Sequence, residues 1–342
     1  MTVDGCKTFP NFRRIRRFCI VDGPPVTGSG CETCKHGQKA VLSMTHSPGK
    51  RLRKLTAEAT IQIPGAPFPL AARLIERAGF DAVYLSGAAF SAGLMGIPDV
   101  GLFTRTELVQ QTRLLTQNTQ LPVIVDADTG FGNALNVERT VRELEAAGAA
   151  AIQLEDQELP KRCGHLSGKS LVSTEEMCTK IRAAVDARVD DDFVIIARTD
   201  ARAGLGFDAA VERARAYLAA GADWIFPEAL ESKEEFARFA AAVEAPLLAN
   251  MTEFGKSPLL SIEELAELGY AAALYPVTLL RVMMKAAEAA LNFIAADGSQ
   301  KELLDLMQTR AELYDLLGYR DYEARDQQFF QGTADADEER DS

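Results

Sequence analysis

The chain has 342 residues, of which 37 are basic and 49 acidic, so its formal net charge is −12. Hydrophobic residues make up 47% and charged residues 25%, which is typical of a globular protein whose core needs no disulfide or metal support at this length. No apolar run is long enough to cross a membrane, and the acidic balance argues against a nucleic-acid binder. We therefore expect no membrane or nucleic-acid partner, and an anionic substrate would need a local cluster of cations.

The first 43 residues differ from the rest of the chain in composition. They are rich in arginine, glycine and proline and show no amphipathic period, so we predict a disordered extension before a domain that starts at Met44. Cys31, Cys34 and His36 form half of a zinc-site pattern, but no second ligand pair follows at finger-like spacing. An arginine-rich start also occurs in organellar transit peptides, although this segment carries acids. Residues 333–342 are predicted to be a solvated acidic tail.

Cysteine usage indicates a reducing compartment. Four of the six cysteines lie in this N-terminal segment, and the large remainder contains only Cys163 and Cys178. A secreted scaffold would distribute paired cysteines through its body. The sequence therefore predicts a cytoplasmic protein with one or two special thiols.

Residues 60–296 alternate short β-branched runs with longer helical patterns. Most of the short runs are apolar on both faces, as in a buried parallel sheet, and several helical patterns end in Ala-Gly, which is typical of helix C-caps. Eight such units predict an α/β fold of the (β/α)8 TIM-barrel type; a doubly wound sheet is the alternative, but no Gly-rich dinucleotide fingerprint follows the first strand. Residues 299–332 add C-terminal helices to the domain at 44–332. The predicted strands are 60–63, 82–85, 123–126, 151–155, 194–198, 224–226, 247–250 and 272–275.

Polar residues, many of them acidic, follow these strands and would meet at the C-terminal mouth of a barrel. So many acids around one rim require a cation, and oxygen ligands without histidine favour Mg²⁺, or Mn²⁺, over zinc. Asp126 and Asp128 are two residues apart, so on a continuing strand both side chains would point the same way. We predict that they contact the metal directly or through water; the alternative is that they cap the following loop.

The segment Lys161-Arg162-Cys163-Gly164-His165 carries the densest chemical signal. A thiol beside two cations and an imidazole has its thiolate favoured, so Cys163 is a candidate acid or base. The nearby glycines fit a loop that closes over substrate. Nucleophilic Cys–His catalysis is the competing hypothesis, and an exposed basic loop with an incidental cysteine is the plain alternative.

Segment 161–165, together with segment 125–132 (Val-Asp-Ala-Asp-Thr-Gly-Phe-Gly), resembles the isocitrate lyase/phosphoenolpyruvate mutase superfamily. Within it, the closest resemblance is to the methylisocitrate lyase family, and the similarity runs from about Ser47 to Tyr319. The resemblance implies a homotetramer of barrels whose final helix is exchanged between subunits. It also implies Mg²⁺-dependent cleavage of a tricarboxylate, 2-methylisocitrate, into pyruvate and succinate in the methylcitrate cycle of propionate breakdown. Further matching motifs are Tyr84-Leu85-Ser86-Gly87, Leu154-Glu155-Asp156-Gln157, Ala197-Arg198-Thr199-Asp200, Phe226-Pro227-Glu228-Ala229 and Met307-Gln308-Thr309-Arg310.

The resemblance also implies roles for individual residues. The thiol that protonates the departing fragment matches Cys163, with Lys161 and His165 beside it, and Tyr84 is a candidate for the alcohol base. Ala88 departs from the glycine found in many relatives after Ser-Gly. The implied metal positions are Asp126, Asp128, Asp99 and Glu155. The implied substrate-binding positions are Ser86, Gly87, Ala88, Gly164, Arg198, Glu228, Asn250, Thr252, Arg281 and Arg310.

Three rival functions remain beside this hypothesis. Isocitrate lyases, which give glyoxylate and succinate, are generally longer and resemble Ser-Pro-Ser where this chain has Asn250-Met251-Thr252. Phosphonopyruvate-type mutases and hydrolases lack a Lys-Arg-Cys-Gly-His loop of this form. A non-catalytic barrel would show a broken motif, yet thiol, acids and arginines all stand in place. Isocitrate cleavage, or a related lyase reaction that forms a 2-oxo acid, is the principal alternative.

Overall fold

The computed structural model describes residues 47–162 and 168–338, with side chains up to residue 330. The predicted extension at 1–43 and the end of the acidic tail lie outside the described residues. So do Cys163, Gly164 and His165.

Eight parallel strands form the centre of the fold, and every strand prediction is confirmed to within one residue at each end. Their residues are almost all buried, which explains why the runs are apolar on both faces. The strands are β1 (Ile61–Pro64), β2 (Val83–Leu85), β3 (Val123–Asp126), β4 (Ala151–Glu155), β5 (Val194–Thr199), β6 (Trp224–Pro227), β7 (Leu248–Asn250) and β8 (Ala272–Tyr275).

Helices follow the strands in alternation, as the 3.6-residue periods predict. Side chains of Ser, Thr or Asn cap many of their N-termini; Asn133, for example, accepts hydrogen bonds from two backbone N–H groups. The helices are α1 (Pro48–Glu58), α2 (Pro69–Arg77), α3 (Gly87–Phe90), α4 (Arg105–Thr116), α5 (Ala134–Ala146), α6 (Thr174–Ala187), α7 (Ala201–Leu205), α8 (Phe207–Ala219), α9 (Lys233–Ala242), α10 (Ile262–Glu267), α11 (Thr278–Asp297), α12 (Arg310–Leu317) and α13 (Tyr319–Glu338), with a π-helical turn at Ser91–Met95 and a 3-10 helix at Lys301–Leu306.

The strands close into a barrel. Strands β2 to β6 form one parallel sheet in sequence order, and β1, β8 and β7 form another. Isolated parallel bridges, Gly65 with Tyr84 and Ile225 with Leu247, join the two sheets at both seams. The predicted (β/α)8 barrel is therefore confirmed, and the doubly wound alternative is wrong.

Strand alternation divides the core into two hydrophobic clusters. Tyr84 and Ile124 point into the barrel interior, whereas Val83 and Val125 point outward and pack against the helices. Helix α1 closes the N-terminal end of the barrel, because Leu52 joins the interior cluster. The C-terminal ends of the strands are left as the open mouth.

The C-terminal segment is helical, as predicted, but its apolar residues are only partly covered. Leu316 is buried because α12 lies against α2, where Arg73 donates hydrogen bonds to the carbonyl oxygens of Leu316 and Leu317. Leu303 is buried as well, whereas Leu306 is 71% exposed. Leu303 and Leu316 are therefore covered within the single chain, whereas Leu306 is not. In the described part of the chain, no helix is both long and apolar enough for a membrane span.

The pairing of β1 with β8 predicts a steric requirement at Gly65. A Cβ at this position would overlap the backbone carbonyl of Pro276, which directly follows β8 and cannot move without opening this strand pair. We expect Gly65→Ala to lower the free energy of unfolding by about 1–3 kcal/mol, measured from the urea midpoint at fixed protein concentration. Gly204→Ala is the matched control, since its Cβ meets nothing within 4 Å and it lies in helix α7. Equal midpoints for the two variants would contradict this requirement.

Candidate active site

A polar cavity lies at the barrel mouth. It brings together most of the site residues predicted from the sequence. Residues of β6, β8 and the loop after β8 form its apolar wall. The predicted residues that line it are Tyr84, Ser86, Ala88, Asp99, Asp126, Glu155, Lys161, Arg198, Glu228, Asn250, Thr252 and Arg281. The additional lining residues are Arg162, Phe226, Leu274, Pro276 and Val277.

Asp126, the last residue of β3, and Asp128, two residues later, are brought together by a turn. Strand β3 ends at Asp126, and Asp128 has a positive φ of 48°. The prediction assumed that the strand continues through Asp128, and this assumption is wrong. The carboxylate of Asp126 instead accepts hydrogen bonds from the backbone N–H of Asp128 at 3.2 Å and of Gly87 at 3.0 Å. The carboxylate is thus fixed in position at the rim.

Lys161 lies deep within this acidic rim. Its side chain is 3% exposed, and its Nζ forms ion pairs with Asp99, at 2.7 Å, and with Asp128. Burial alone would lower the pKa of Lys161, but Glu155 and Asp128 together hold that pKa well above its usual value. Burial also raises the pKa of Asp128, to about 7, against the opposing effect of Lys161. The lysine therefore remains charged and serves as the counter-ion of the rim.

Arg198, the penultimate residue of β5, is the second cation of the cavity. Its guanidinium binds Asp200 through Nε at 2.9 Å and Nη2 at 3.1 Å. Longer contacts run from Nη1 to Glu155, at 3.4 Å, and from Nη2 to Glu228, at 3.5 Å. Asn250 donates to the same Glu228 carboxylate at 3.3 Å. This arrangement presents a fixed fork of N–H donors to the cavity, which is suited to a carboxylate ligand.

Glu155 carries a buried oxygen that has no hydrogen-bond partner among the described residues. Its side chain is 1% exposed, and Oε1 is the unpaired atom. Burial, against the opposing effects of Arg198 and Lys161, holds the pKa of Glu155 well above its usual value. A buried polar oxygen without a partner is costly unless a ligand or cation completes it. Glu155 therefore marks a place where the cavity is built to receive another group.

The donor chemistry around Asp126 and Glu155 fits a hard divalent cation such as Mg²⁺. All the candidate ligands are carboxylate oxygens. No group of three or more Asp, Glu, His or Cys side chains converges tightly enough to hold a metal within residues 47–162 and 168–330. Mg²⁺ is commonly held by only one or two carboxylates together with water and substrate oxygens. Asp126 and Glu155 are the residues that fit this role, whereas Asp99 and Asp128 already bind Lys161.

Gln157 contacts described residues on both sides of Cys163 in the chain. Gln157 forms two hydrogen bonds with the backbone of Arg162, each of 2.9 Å. The backbone of Gln157 pairs with that of Leu171 in an antiparallel bridge. Arg162 lines the cavity and immediately precedes Cys163 in the chain. The acid–base role of Cys163, and the roles of Gly164 and His165, remain predictions.

Tyr84 is poorly suited to act as the alcohol base. Its hydroxyl donates a hydrogen bond to Gln153 Oε1 inside the barrel. Burial, reinforced by Asp126, holds the pKa of Tyr84 well above its usual value. The phenolate form that a base requires is therefore disfavoured, and the hydroxyl acts as a donor.

Two predicted arginines differ in their placement. Arg281 lines the cavity and donates from Nη1 to the carbonyl oxygen of Glu253 at 2.7 Å. Arg310 begins α12 and is exposed, and it does not line the cavity described here. The apolar wall residues Phe226, Leu274 and Val277 were missed, because apolar residues at strand ends look the same in sequence as core residues.

The buried pairing of Lys161 predicts a stability effect. Lys161→Met would leave the Asp128 carboxylate buried without its counter-ion, and we expect the free energy of unfolding to fall by about 3 kcal/mol. Urea denaturation in the presence of EDTA measures this change. Lys285→Met is the control, because Lys285 is 81% exposed in its pair with Glu288. Adding Asp128→Asn to the Lys161→Met protein should restore part of the loss; a Lys161 variant as stable as the control would refute the pairing.

Comparison with known proteins agrees with this site. A family described as phosphoenolpyruvate phosphomutase matches residues 52–295. The 2-methylisocitrate lyase of Aeropyrum pernix is 57% identical over 280 residues, which cover 82% of this chain and 90% of that protein. The crystal structure of 2,3-dimethylmalate lyase, a member of the PEP mutase/isocitrate lyase superfamily, superposes with a TM-score of 0.78 at 36% identity, covering 83% of this chain and 95% of that one.

The structure of phosphonopyruvate hydrolase in complex with oxalate and Mg²⁺ has a TM-score of 0.75 at 33% identity and covers 82% of this chain and 98% of that one. The superfamily resemblance seen in the sequence is thereby confirmed. Both the sequence match over most of the domain and the shared barrel show that this chain belongs to the phosphoenolpyruvate phosphomutase family.

Proposed function

We propose that this protein is a carbon–carbon lyase that cleaves 2-methylisocitrate into pyruvate and succinate. The observation that carries the proposal is the pairing of Lys161 with Asp99 and Asp128. This pairing anchors the start of the Lys-Arg-Cys-Gly-His segment in the same cavity as Arg198. The relative from Aeropyrum pernix, at 57% identity, bears the name 2-methylisocitrate lyase. Both the local chemistry and the long match favour the same reaction.

The cleavage is a retro-aldol reaction of the Claisen type. The alcohol gives its proton to a base other than Tyr84, the bond between the hydroxyl-bearing carbon and its neighbour breaks, and the hydroxyl-bearing carbon becomes the keto carbon of pyruvate. The electron pair of the broken bond remains on the carbon that becomes a methylene of succinate, and Cys163 protonates that carbon. Arg198 and Arg281 bind substrate carboxylates, which supplies the local positive charge that a chain of net charge −12 otherwise lacks.

We infer that Mg²⁺ is the cofactor, with Mn²⁺ as a substitute of the same ligand preference. Asp126 and the unpaired oxygen of Glu155 would hold the ion. When bound, it supplies positive charge against the negative charge of the substrate oxygens. The Asp126 carboxylate is kept in place by the backbone of Gly87 and Asp128. With this substrate, the protein would serve propionate breakdown in the methylcitrate cycle, and its cysteine usage favours the cytoplasm.

Pyruvate release from 2-methylisocitrate in the presence of Mg²⁺ tests the proposed reaction. We expect turnover that EDTA abolishes, and a kcat/KM for 2-methylisocitrate above that for isocitrate. The methyl group is worth roughly 1–3 kcal/mol of discrimination, about tenfold or more. Preferential cleavage of isocitrate would assign the alternative function, and absence of both activities would refute the lyase proposal.

Cys163→Ser should lower kcat about 100-fold or more and change KM by only a few-fold, because a hydroxyl is a much weaker proton donor than a thiol. The matched control is Cys178→Ser. Cys178 lies in α6, where its Sγ contacts the carbonyl oxygen of Ala216, outside the cavity. Near-normal turnover by Cys163→Ser would remove this thiol from the chemistry.

We also propose that copies of this chain cover α11, in a tetramer with exchange of the C-terminal helices. Helix α11 has 20 residues and none of them is buried in the single chain. Met284 and Leu291 are 59% and 67% exposed and, seven residues apart, lie on one face of the helix. An exposed apolar helix of this length requires cover by another surface.

Leu291→Glu tests the assembly, because a carboxylate buried in an apolar subunit interface is strongly destabilising. We expect the variant to form a smaller species than the parent protein in size-exclusion chromatography with light scattering. Lys285→Glu, on the same helix at an 81% exposed position, is the control and should leave the mass unchanged. An unchanged mass for Leu291→Glu would exclude this face of α11 from the interface.

A further inference from the structure

Lys169 forms a buried ion pair that the proposed reaction does not use. Its Nζ lies 2.6 Å from Oδ1 of Asp200, and the two side chains are 4% and 0% exposed. The same Oδ1 accepts a hydrogen bond from Arg198 Nη2 at 3.1 Å. A single carboxylate is therefore shared by two cations, of which one lines the cavity.

Asp200 is diverted from its expected structural role. It occupies the N-cap position of α7, where an aspartate usually accepts a hydrogen bond from the first turn of the helix, but its side chain makes no capping bond. Both of its oxygens instead bind Arg198, through Nε at 2.9 Å and Nη2 at 3.1 Å. The side chain thus serves the cavity rather than the helix.

A second buried aspartate, Asp156, fixes the backbone beneath Asp200. Its Oδ1 accepts the backbone N–H of Asp200 at 2.8 Å. Its Oδ2 accepts hydrogen bonds from Thr199 at 2.9 Å, Tyr217 at 2.7 Å and Arg213 at 3.1 Å. With four donors on one buried carboxylate, the turn that carries Asp200 is rigid, and so is the direction of its side chain.

The charge balance around Arg198 shows what Lys169 contributes. The guanidinium of Arg198 faces three carboxylates, those of Asp200, Glu155 and Glu228. Such a site would repel a further carboxylate. Lys169 compensates the charge of Asp200, so more of the positive charge of Arg198 remains available to an incoming anion.

Lys169 also lies close in the chain to Cys163, six residues after it. The backbone N–H of Glu158 donates to the carbonyl oxygen of Ser170 at 2.9 Å, and the backbone N–H of Val172 donates to the carbonyl oxygen of Asp156 at 3.0 Å. Lys161, before Cys163, pairs with Asp128. Lys169, after Cys163, pairs with Asp200.

We propose that Lys169 is a positioning residue that acts through Asp200 to orient Arg198 and to keep it available for a carboxylate of the substrate. The proposal rests on the proposed function in taking Arg198 as a carboxylate-binding residue. Lys169 itself need not touch the substrate. Its loss should weaken binding more than it slows the chemical step.

Binding of oxalate in the presence of Mg²⁺, measured by isothermal titration calorimetry, tests this role without requiring turnover. Oxalate is a small dianion and is bound with Mg²⁺ in the related phosphonopyruvate hydrolase. We expect Lys169→Met to weaken oxalate binding about tenfold, and Lys169→Arg to restore it to within about threefold of the parent protein. In kinetics with 2-methylisocitrate, KM should rise more than kcat falls for Lys169→Met.

Two controls separate positioning from general damage. Lys233→Met removes an ion pair of similar length, 2.8 Å to Glu264, on α9 and should leave oxalate binding unchanged. In a double-mutant cycle, Lys169→Met should have little further effect once Asp200→Asn is present, because both substitutions remove the same pair. If Lys169→Met does not fold, Lys169→Gln takes its place in every measurement.

The outcomes distinguish this inference from the proposed function. Unchanged oxalate binding and KM in the Lys169 variants, or effects of Lys169 and Asp200 that simply add, would overturn the positioning role. Failure of the parent protein to bind oxalate would overturn it as well. A protein whose oxalate binding depends on Lys169 but which releases no pyruvate from 2-methylisocitrate would support the positioning role and refute the proposed substrate.

Discussion

The structure of the mouth is governed by one constraint, the burial of carboxylates that must be matched by cations. Asp126, Asp128, Glu155 and Asp200 are each at most 6% exposed at the ends of neighbouring strands. Buried charges of one sign are tolerated only where cations and hydrogen bonds compensate them. Lysines supply that compensation at both arms of the loop after β4, and Arg198 supplies it in the middle. Lys161 and Lys169, which flank Cys163 in the chain, are therefore held by the same interactions that make the acidic cavity possible.

The barrel was predictable because its strands are buried on both faces. In β3, three β-branched apolar residues are followed by Asp126, which marks the end of the strand, and prediction and structure agree there residue for residue. The first strand is shifted by one residue, since its bounds are set by pairing with β8, with Ile61 opposite Ala272. Thr60 lies just outside the ladder and uses its hydroxyl to bind the carbonyl oxygen of Tyr270. Long-range pairing of this kind leaves no local signal in the sequence.

The site was predictable in composition but not in geometry. Acids at strand ends, Lys161 and Arg198 could all be recognised from residue type and from the barrel rule that strand ends converge. The turn at Asp128 could not, because a positive φ in a non-glycine residue is imposed by its surroundings. The pairing of Lys169 with Asp200 was equally inaccessible, since it depends on contacts between distant parts of the chain, such as the backbone hydrogen bond from Val172 to the carbonyl oxygen of Asp156.

The distances around Arg198 suggest how an acidic protein accommodates a tricarboxylate. Asp200 binds the guanidinium closely, at 2.9 Å, and holds it through two parallel hydrogen bonds. Glu155 and Glu228 lie farther away, at 3.4 and 3.5 Å. A substrate carboxylate can therefore replace these two weaker contacts without disturbing the stronger one. In the proposed reaction, Glu155 and Glu228 occupy the positions at Arg198 that a substrate carboxylate takes on binding. The overall charge of −12 does not prevent binding, because the guanidinium exchanges one carboxylate partner for another.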